Sequence, residues 1–126
     1  MALGFSTNLR NARADAITTF AGSSAVIRFY SGTRPSTGTT TPTALVSLTG
    51  TGVFASAAVS GVITLTGFTP APASNADTAT WFRISKADGT FVMDGSVGSD
   101  ITMTDPILSS GEVVGFSTMT ITEGNA

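Results

Sequence analysis

The 126-residue sequence contains no cysteine and no histidine. Without cysteine there is no disulfide framework and no thiolate nucleophile. Without histidine the commonest general base and the commonest transition-metal ligand are missing, and no Ser–His arrangement can be assembled. Charge is scarce as well: Asp, Glu, Lys and Arg make up 11% of the chain, against about a quarter in an ordinary globular domain. There is one lysine, Lys86, one Trp and one Tyr. No stretch reaches the ~18 consecutive apolar residues of a membrane-spanning helix, so no membrane partner is expected. Residues 1–8 are uncharged and no long apolar run follows them, which is unlike a secretory leader. The expected site of synthesis is the cytoplasm. There is no Gly-x-x-x-x-Gly-Lys phosphate loop and no dinucleotide fingerprint behind a strand.

What fills the polar positions instead is Thr, Ser, Gly and Ala. That composition suits a β-rich body whose surface is neutral or covered by partners, and is the opposite of a highly charged disordered chain. The length is that of one domain, which can bury roughly two thirds of its unfolded surface. The net charge of −2 is unevenly spread. Residues 1–34 hold Arg10, Arg13, Arg28 and Arg34 against Asp15 alone, so they carry +3 and the remainder −5. Four arginines are too sparse for a nucleic-acid footprint. They are either solvated or available to an acidic partner surface.

The clearest local signal is a β-hairpin over residues 78–95. Two runs rich in aromatic and β-branched residues flank Asp88-Gly89, a dipeptide suited to a tight hairpin turn. With these two as the central turn residues, Ala87 faces Thr90, Ile84 faces Met93 and Arg83 faces Asp94. Alternation then places Phe82, Ile84 and Met93 on one face and Trp81, Arg83 and Asp94 on the other. The first face reads as core. The second carries the sole Trp beside an opposed charge pair. It is either buried on both sides within a sandwich or a contact for a subunit or neighbouring protein.

Residues 1–7 read as an arm and residues 8–20 as the one helix. Leu9, Ala12, Ala16 and Phe20 fall on one stripe with Ile17 beside it. Ser6, Thr7 or Asn8 can cap its start and Gly22 its end. The helix either packs across the open end of a sandwich or serves as a hook for a partner. Residues 25–31 alternate as a strand, and residues 32–43, rich in Thr with Gly and two prolines, read as an exposed loop. Short strands follow at 44–48, 53–59 and 62–68, the last two joined at Ser60-Gly61. Residues 69–77 read as a second exposed loop. A short strand at 101–104 and a long one at 112–122 complete the chain. In the last, Val114 and Phe116 share a face with Thr118, Thr120 and Thr122. Val113, Gly115, Ser117, Met119 and Ile121 share the other. The inward side is mixed near Phe116, which predicts a bulge. About eight short strands at ~8–12-residue spacing predict an all-β, sandwich or jelly-roll-like domain over 8–126 with one N-terminal helix.

Candidate chemistry is faint. A Ser–Lys dyad would need Lys86, which sits beside a turn. Asp94, Asp100 and Asp105 lie in one irregular stretch behind Asp77. Loop carboxylates can bind Ca²⁺, but their spacing matches no calcium loop, and turn-forming Asp accounts for each. Trp81, Tyr30 and Phe29 are a sparse platform for a sugar ring and read as core. No catalytic residue, metal or cofactor is expected.

Five separated blocks carry a resemblance: Leu9 to Ile17, Ile27 to Pro35, Ala79 to Arg83, Asp94 to Gly98 and Ile121 to Asn125. In this order they resemble a family of small virion-associated proteins of tailed phages and prophages. The resemblance implies a structural virion protein, a capsid decoration or cement protein on the outer shell surface. It implies the major capsid protein as partner and a homotrimer at local threefold positions, with a dimer as the other arrangement. Leu9, Arg10, Arg13, Trp81, Arg83 and Asp94 are then the candidate contacts to capsid or subunit. The alternative is a tail- or fibre-associated structural or receptor-binding module that uses the two Pro/Thr-rich loops.

Overall fold

A computed structural model describes residues 4–39, 42–66, 68–103, 105–116 and 119–122. One helix, α1 (Thr7–Ala21), precedes ten short strands. These are β1 (Val26–Tyr30), β2 (Val46–Thr49), β3 (Val62–Thr64), β4 (Ala71–Pro72), β5 (Asp77–Thr78), β6 (Trp81–Ser85), β7 (Phe91–Ser96), β8 (Ile107–Leu108), β9 (Val113–Val114) and β10 (Thr120–Thr122). The all-β reading with a single N-terminal helix holds. The strand count differs from the eight expected: β4, β5 and β8 are added, the last expected strand is divided into β9 and β10, and the strands expected at 53–59 and 101–104 are only bridges.

β2, β1, β6 and β7 form a four-stranded antiparallel sheet in that order. Its inner face is written by strand alternation. Ile27, Phe29, Val46, Leu48, Phe82 and Ile84 point inward and are buried, with Met93 packed against them. Opposite this sheet runs a broken ribbon. β8, β9 and β10 pair with β5, β4 and β3 in reverse order. Residues 107–122 therefore run back along residues 62–78, and the register slips by only one residue between Asp77↔Leu108 and Thr64↔Thr120. Five Phe rings join the two layers. Phe82, Phe29, Phe116, Phe68 and Phe54 follow one another at centroid separations of 6.2, 6.5, 5.8 and 6.1 Å, within the range of favourable tilted and edge-to-face pairs.

Residues 69–77 are thus not a free loop: Ala71–Pro72 and Asp77–Thr78 pair with the returning chain. Residues 112–122 are not one strand but two, β9 and β10, with different partners. Val114 is buried early and Met119 late, so the inward parity flips between them, as the mixed faces of the sequence anticipate. Residues 53–59 form bridges rather than a strand, but the hairpin around Ser60-Gly61 exists. Both turn residues have positive φ, and Val59 and Val62 exchange two backbone hydrogen bonds across them, the geometry of a two-residue hairpin. The expected strand at 101–104 is reduced to bridges at Ile101, which pairs in parallel with Val97, and Thr102; Thr104 lies outside the described residues.

The central hairpin pairs Arg83 with Asp94 and Ile84 with Met93, as expected. Its turn differs. Lys86 pairs with Thr90 and Gly89 adopts φ +93, so the loop has three residues. The pairing then jumps from Ser85↔Phe91 to Ile84↔Met93. Val92 is the extra residue, and this bulge restores the register that a two-residue turn would have set. Asp88 accepts the Thr90 N–H at 2.9 Å. The Thr90 side chain, then its backbone N–H, hold this exposed carboxyl below the ordinary carboxylate range.

Candidate functional site

α1 begins where Ser6 Oγ accepts the Leu9 N–H at 3.1 Å, and ends at Gly22, whose φ of +72 few other residues tolerate. Its docking is polar. Asn11 Oδ1 accepts the Gly61 N–H at 2.7 Å, Asp15 Oδ1 accepts the Ala58 N–H at 2.8 Å, and Arg10 Nη2 donates to the Ser60 carbonyl at 2.9 Å. Ala14 and Ala21 complete the buried side. The predicted stripe lies on the opposite side. Ala12 and Ala16 are exposed, and Leu9 and Phe20 are 46% and 51% exposed. Hydrophobic periodicity thus identifies the helix but misplaces its inner face: of the predicted set only Ile17 packs against the core, and the seam combines Ala14, Ile17 and Ala21 with hydrogen bonds to the 58–61 turn. Asn11 and Asp15, one helical turn apart, were the available signal. Arg13 is exposed and stacks on Phe5 with its guanidinium 5.0 Å from the ring centroid. Lys86 lies 4.8 Å over the Phe20 ring.

The second predicted surface, on the outer face of β6 and β7, is covered by the chain itself. Trp81 is 1% exposed and stacks on Tyr30 at 4.3 Å. Its Nε1 donates to the Ser31 carbonyl at 3.2 Å, and the Thr80 hydroxyl donates to Gly32 at 2.6 Å. Arg83 grips Asp94 with two bonds, Nε to Oδ1 at 2.6 Å and Nη2 to Oδ2 at 2.9 Å. Its Nη1 donates to the Thr39 carbonyl, and the Gly38 N–H donates to Asp94 Oδ2 at 3.2 Å. The guanidinium also lies over the rings of Trp81 and Phe91. The Asp94 hydrogen bond, opposed by desolvation, raises the affinity of Arg83 for its proton above the ordinary value. Of residues 32–43, expected to be an exposed loop, Gly32, Gly38 and Thr39 bond to this face, as does Ser31 at the end of the preceding strand; residues 40–41 lie outside the described residues. Trp81, Arg83 and Asp94 therefore answer to the two-sided-burial alternative, while Leu9 and Arg13 lie on the surface.

Of the four carboxylates weighed for a cation, Asp94 is held by Arg83 and the Gly38 N–H, and the other three are each held by a nearby backbone amide. Asp77 accepts from Thr78, Asp100 from Ser96 and Asp105 from Ile107, the geometry of turn-forming Asp. Among the described residues no three acidic side chains come together to hold a metal. No described helix is long and apolar enough to cross a membrane. Two concave features stand out among the described residues: one of about 330 Å³ lined by Asp105 and Glu112 to Phe116, and a cleft of about 360 Å³ between β7 and β10. In the β7–β10 cleft the two walls differ. Phe82, Met93, Asp94, Gly95 and Asp100 line one side and Met119 to Thr122 the other. Comparison with protein-family models, curated proteins and solved structures finds no match to this chain.

Proposed function

We propose that the chain is a non-enzymatic structural virion protein that decorates the outer surface of a tailed-phage shell. The observation that carries the reading is the helix. It is fastened to the body by Asn11, Asp15 and Arg10, yet presents Leu9, Ala12, Ala16 and Phe20 outward. A fastened helix with an uncovered apolar stripe is a ready anchor, since burying such side chains is favourable by roughly 1.5–3 kcal/mol for each large one. The scarcity of surface charge suits a body wedged among repeated subunits. The major capsid protein is the proposed partner, with Arg13 at the rim. A homotrimer is the proposed assembly and a dimer its competitor, separable by sedimentation equilibrium. The tail or fibre alternative relied on residues 33–43 and 69–77 as free recognition loops. Gly38 and Thr39 of the first, and residues 71–72 and 77–78 at the second, are engaged with the body, which favours the shell reading over it.

The test is occupancy on undecorated capsids, by cryo-electron microscopy, of the parent chain and of Leu9→Glu/Phe20→Glu. Ordered copies of the parent over the shell and loss of the double variant are expected. Circular dichroism must show the variant folded. Absence of the parent from the shell, or equal occupancy of both chains, overturns the reading.

A further inference from the structure

The cleft between β7 and β10 separates two strand edges that have no strand neighbour among the described residues. On β7, the Val97 N–H bonds the Thr80 carbonyl. In an antiparallel pair, hydrogen-bonded and non-bonded positions alternate. Ser96 and Asp94, paired with Trp81 and Arg83, are then non-bonded positions whose backbone groups point away from β6. Ser96 confirms this direction, since its N–H bonds the Asp100 carboxylate and its carbonyl accepts from the Asp100 N–H. On β10, the Leu65 N–H bonds the Met119 carbonyl, so Thr120 and Thr122 point their backbone groups away from β3 by the same alternation. Among the described residues no backbone group meets those of Asp94, Thr120 or Thr122. The cleft floor is apolar, with Phe82 and Met119. Charge is one-sided: Asp94 is neutralised by Arg83, while among the described residues Asp100 has no ion pair and no Lys or Arg lines the cleft.

We infer that this slot accepts one extended segment of a partner polypeptide, which adds as a strand between β7 and β10. Main-chain hydrogen bonds to Asp94 on one edge and to Thr120 and Thr122 on the other hold it. Alternate side chains are apolar, toward Phe82 and Met119, and a Lys or Arg meets Asp100. This goes beyond the proposed capsid role and does not depend on it, because it concerns the shape and charge of a bound segment, not where the protein resides.

The probe is a random dodecapeptide library panned on the immobilised full chain, followed by titration of the enriched peptides in synthetic form. Expected are peptides that alternate apolar and polar residues and carry a basic residue. Thr120→Pro removes an outward N–H without breaking the ladder to β3, and weakens binding about tenfold, the equivalent of one lost hydrogen bond. Asp100→Asn keeps an acceptor for Ser96 and abolishes the preference for a basic over an acidic residue. A second readout needs no variant: amide exchange at Asp94, Thr120 and Thr122 is fast in the free chain and slowed by the peptide. Failure to enrich peptides, binding unaffected by Thr120→Pro in a folded variant, or slow exchange at these amides in the free chain each overturns the inference.

Discussion

At the scale of single residues, the tightest constraint is a missing side chain. Gly95 faces Phe82 across the β6–β7 pair, and a Cβ there would stand 2.3 Å from the Phe82 ring. Phe82 is fully buried, so its ring cannot swing into solvent. Gly95→Ala is expected to destabilise the chain by about 1–3 kcal/mol, the range for overpacking a core, measured by denaturant unfolding. Phe82→Leu in the same chain should relieve part of that loss, which separates a steric clash from any general cost of alanine. On the opposite face the constraint is charge. The side chains of Arg83 and Asp94 are 11% and 1% exposed. Asp94→Ala leaves a buried guanidinium unpaired and frees the Gly38 N–H; a loss of about 3–5 kcal/mol is expected. Arg83→Met with Asp94→Leu removes both charges and should cost clearly less, since a buried pair often contributes little over apolar packing. Equal losses in the two variants would show that the pair acts through something other than uncompensated charge.

At the scale of elements, the helix and the central hairpin show how far local patterns reach. Helix ends were legible because Ser6 and Gly22 act within one turn of chain. Its orientation was not, since Asn11 and Asp15 bond to backbone some 50 and 43 residues away. Asn11→Ala with Asp15→Ala leaves two N–H groups of the 58–61 turn unsatisfied, at about 1–3 kcal/mol each. The expected outcome is local undocking: faster amide exchange in α1 while β1 and β6 stay protected. In the hairpin, the register at Arg83 and Asp94 was legible although the turn was not, because the longer loop and the bulge at Val92 offset each other. The turn also titrates. The Asp88 carboxyl is lowered in the folded chain by the Thr90 side chain and then its N–H. Its stabilising contribution is therefore complete above the unfolded carboxylate value and is lost as pH falls through the lowered folded one. An NMR titration should find Asp88 ionising below ordinary Asp, and Thr90→Val should move it back toward the usual range.

At the scale of the whole molecule, the four-stranded sheet and the ribbon differ in how they were readable. β1 and β6 alternate strongly and carry their own faces in sequence. β4, β5, β8 and β9 have two residues each, too few to show a period, and they exist only because residues 107–122 return along residues 62–78. Residues 31–39 posed the same problem: their glycines and polar residues signal a loop, while the side chains that fasten them, Trp81, Arg83 and Asp94, come from the middle of the chain. Such non-local pairing makes the C-terminal segment a condition of the fold. Removing residues 107–126 deprives β3, β4 and β5 of their only strand partners among the described residues and takes away Phe116, the ring that joins Phe29 of the sheet to Phe68 of the ribbon. The truncated chain should therefore lose the cooperative unfolding transition altogether rather than retain a smaller stable sheet. Denaturant titration followed by the fluorescence of Trp81, which lies on the far side of the sheet from the deletion, reads this directly. A surviving cooperative transition at Trp81 would mean that the four-stranded sheet with its 31–39 cover is an independent folding unit, and that the ribbon is an addition to it.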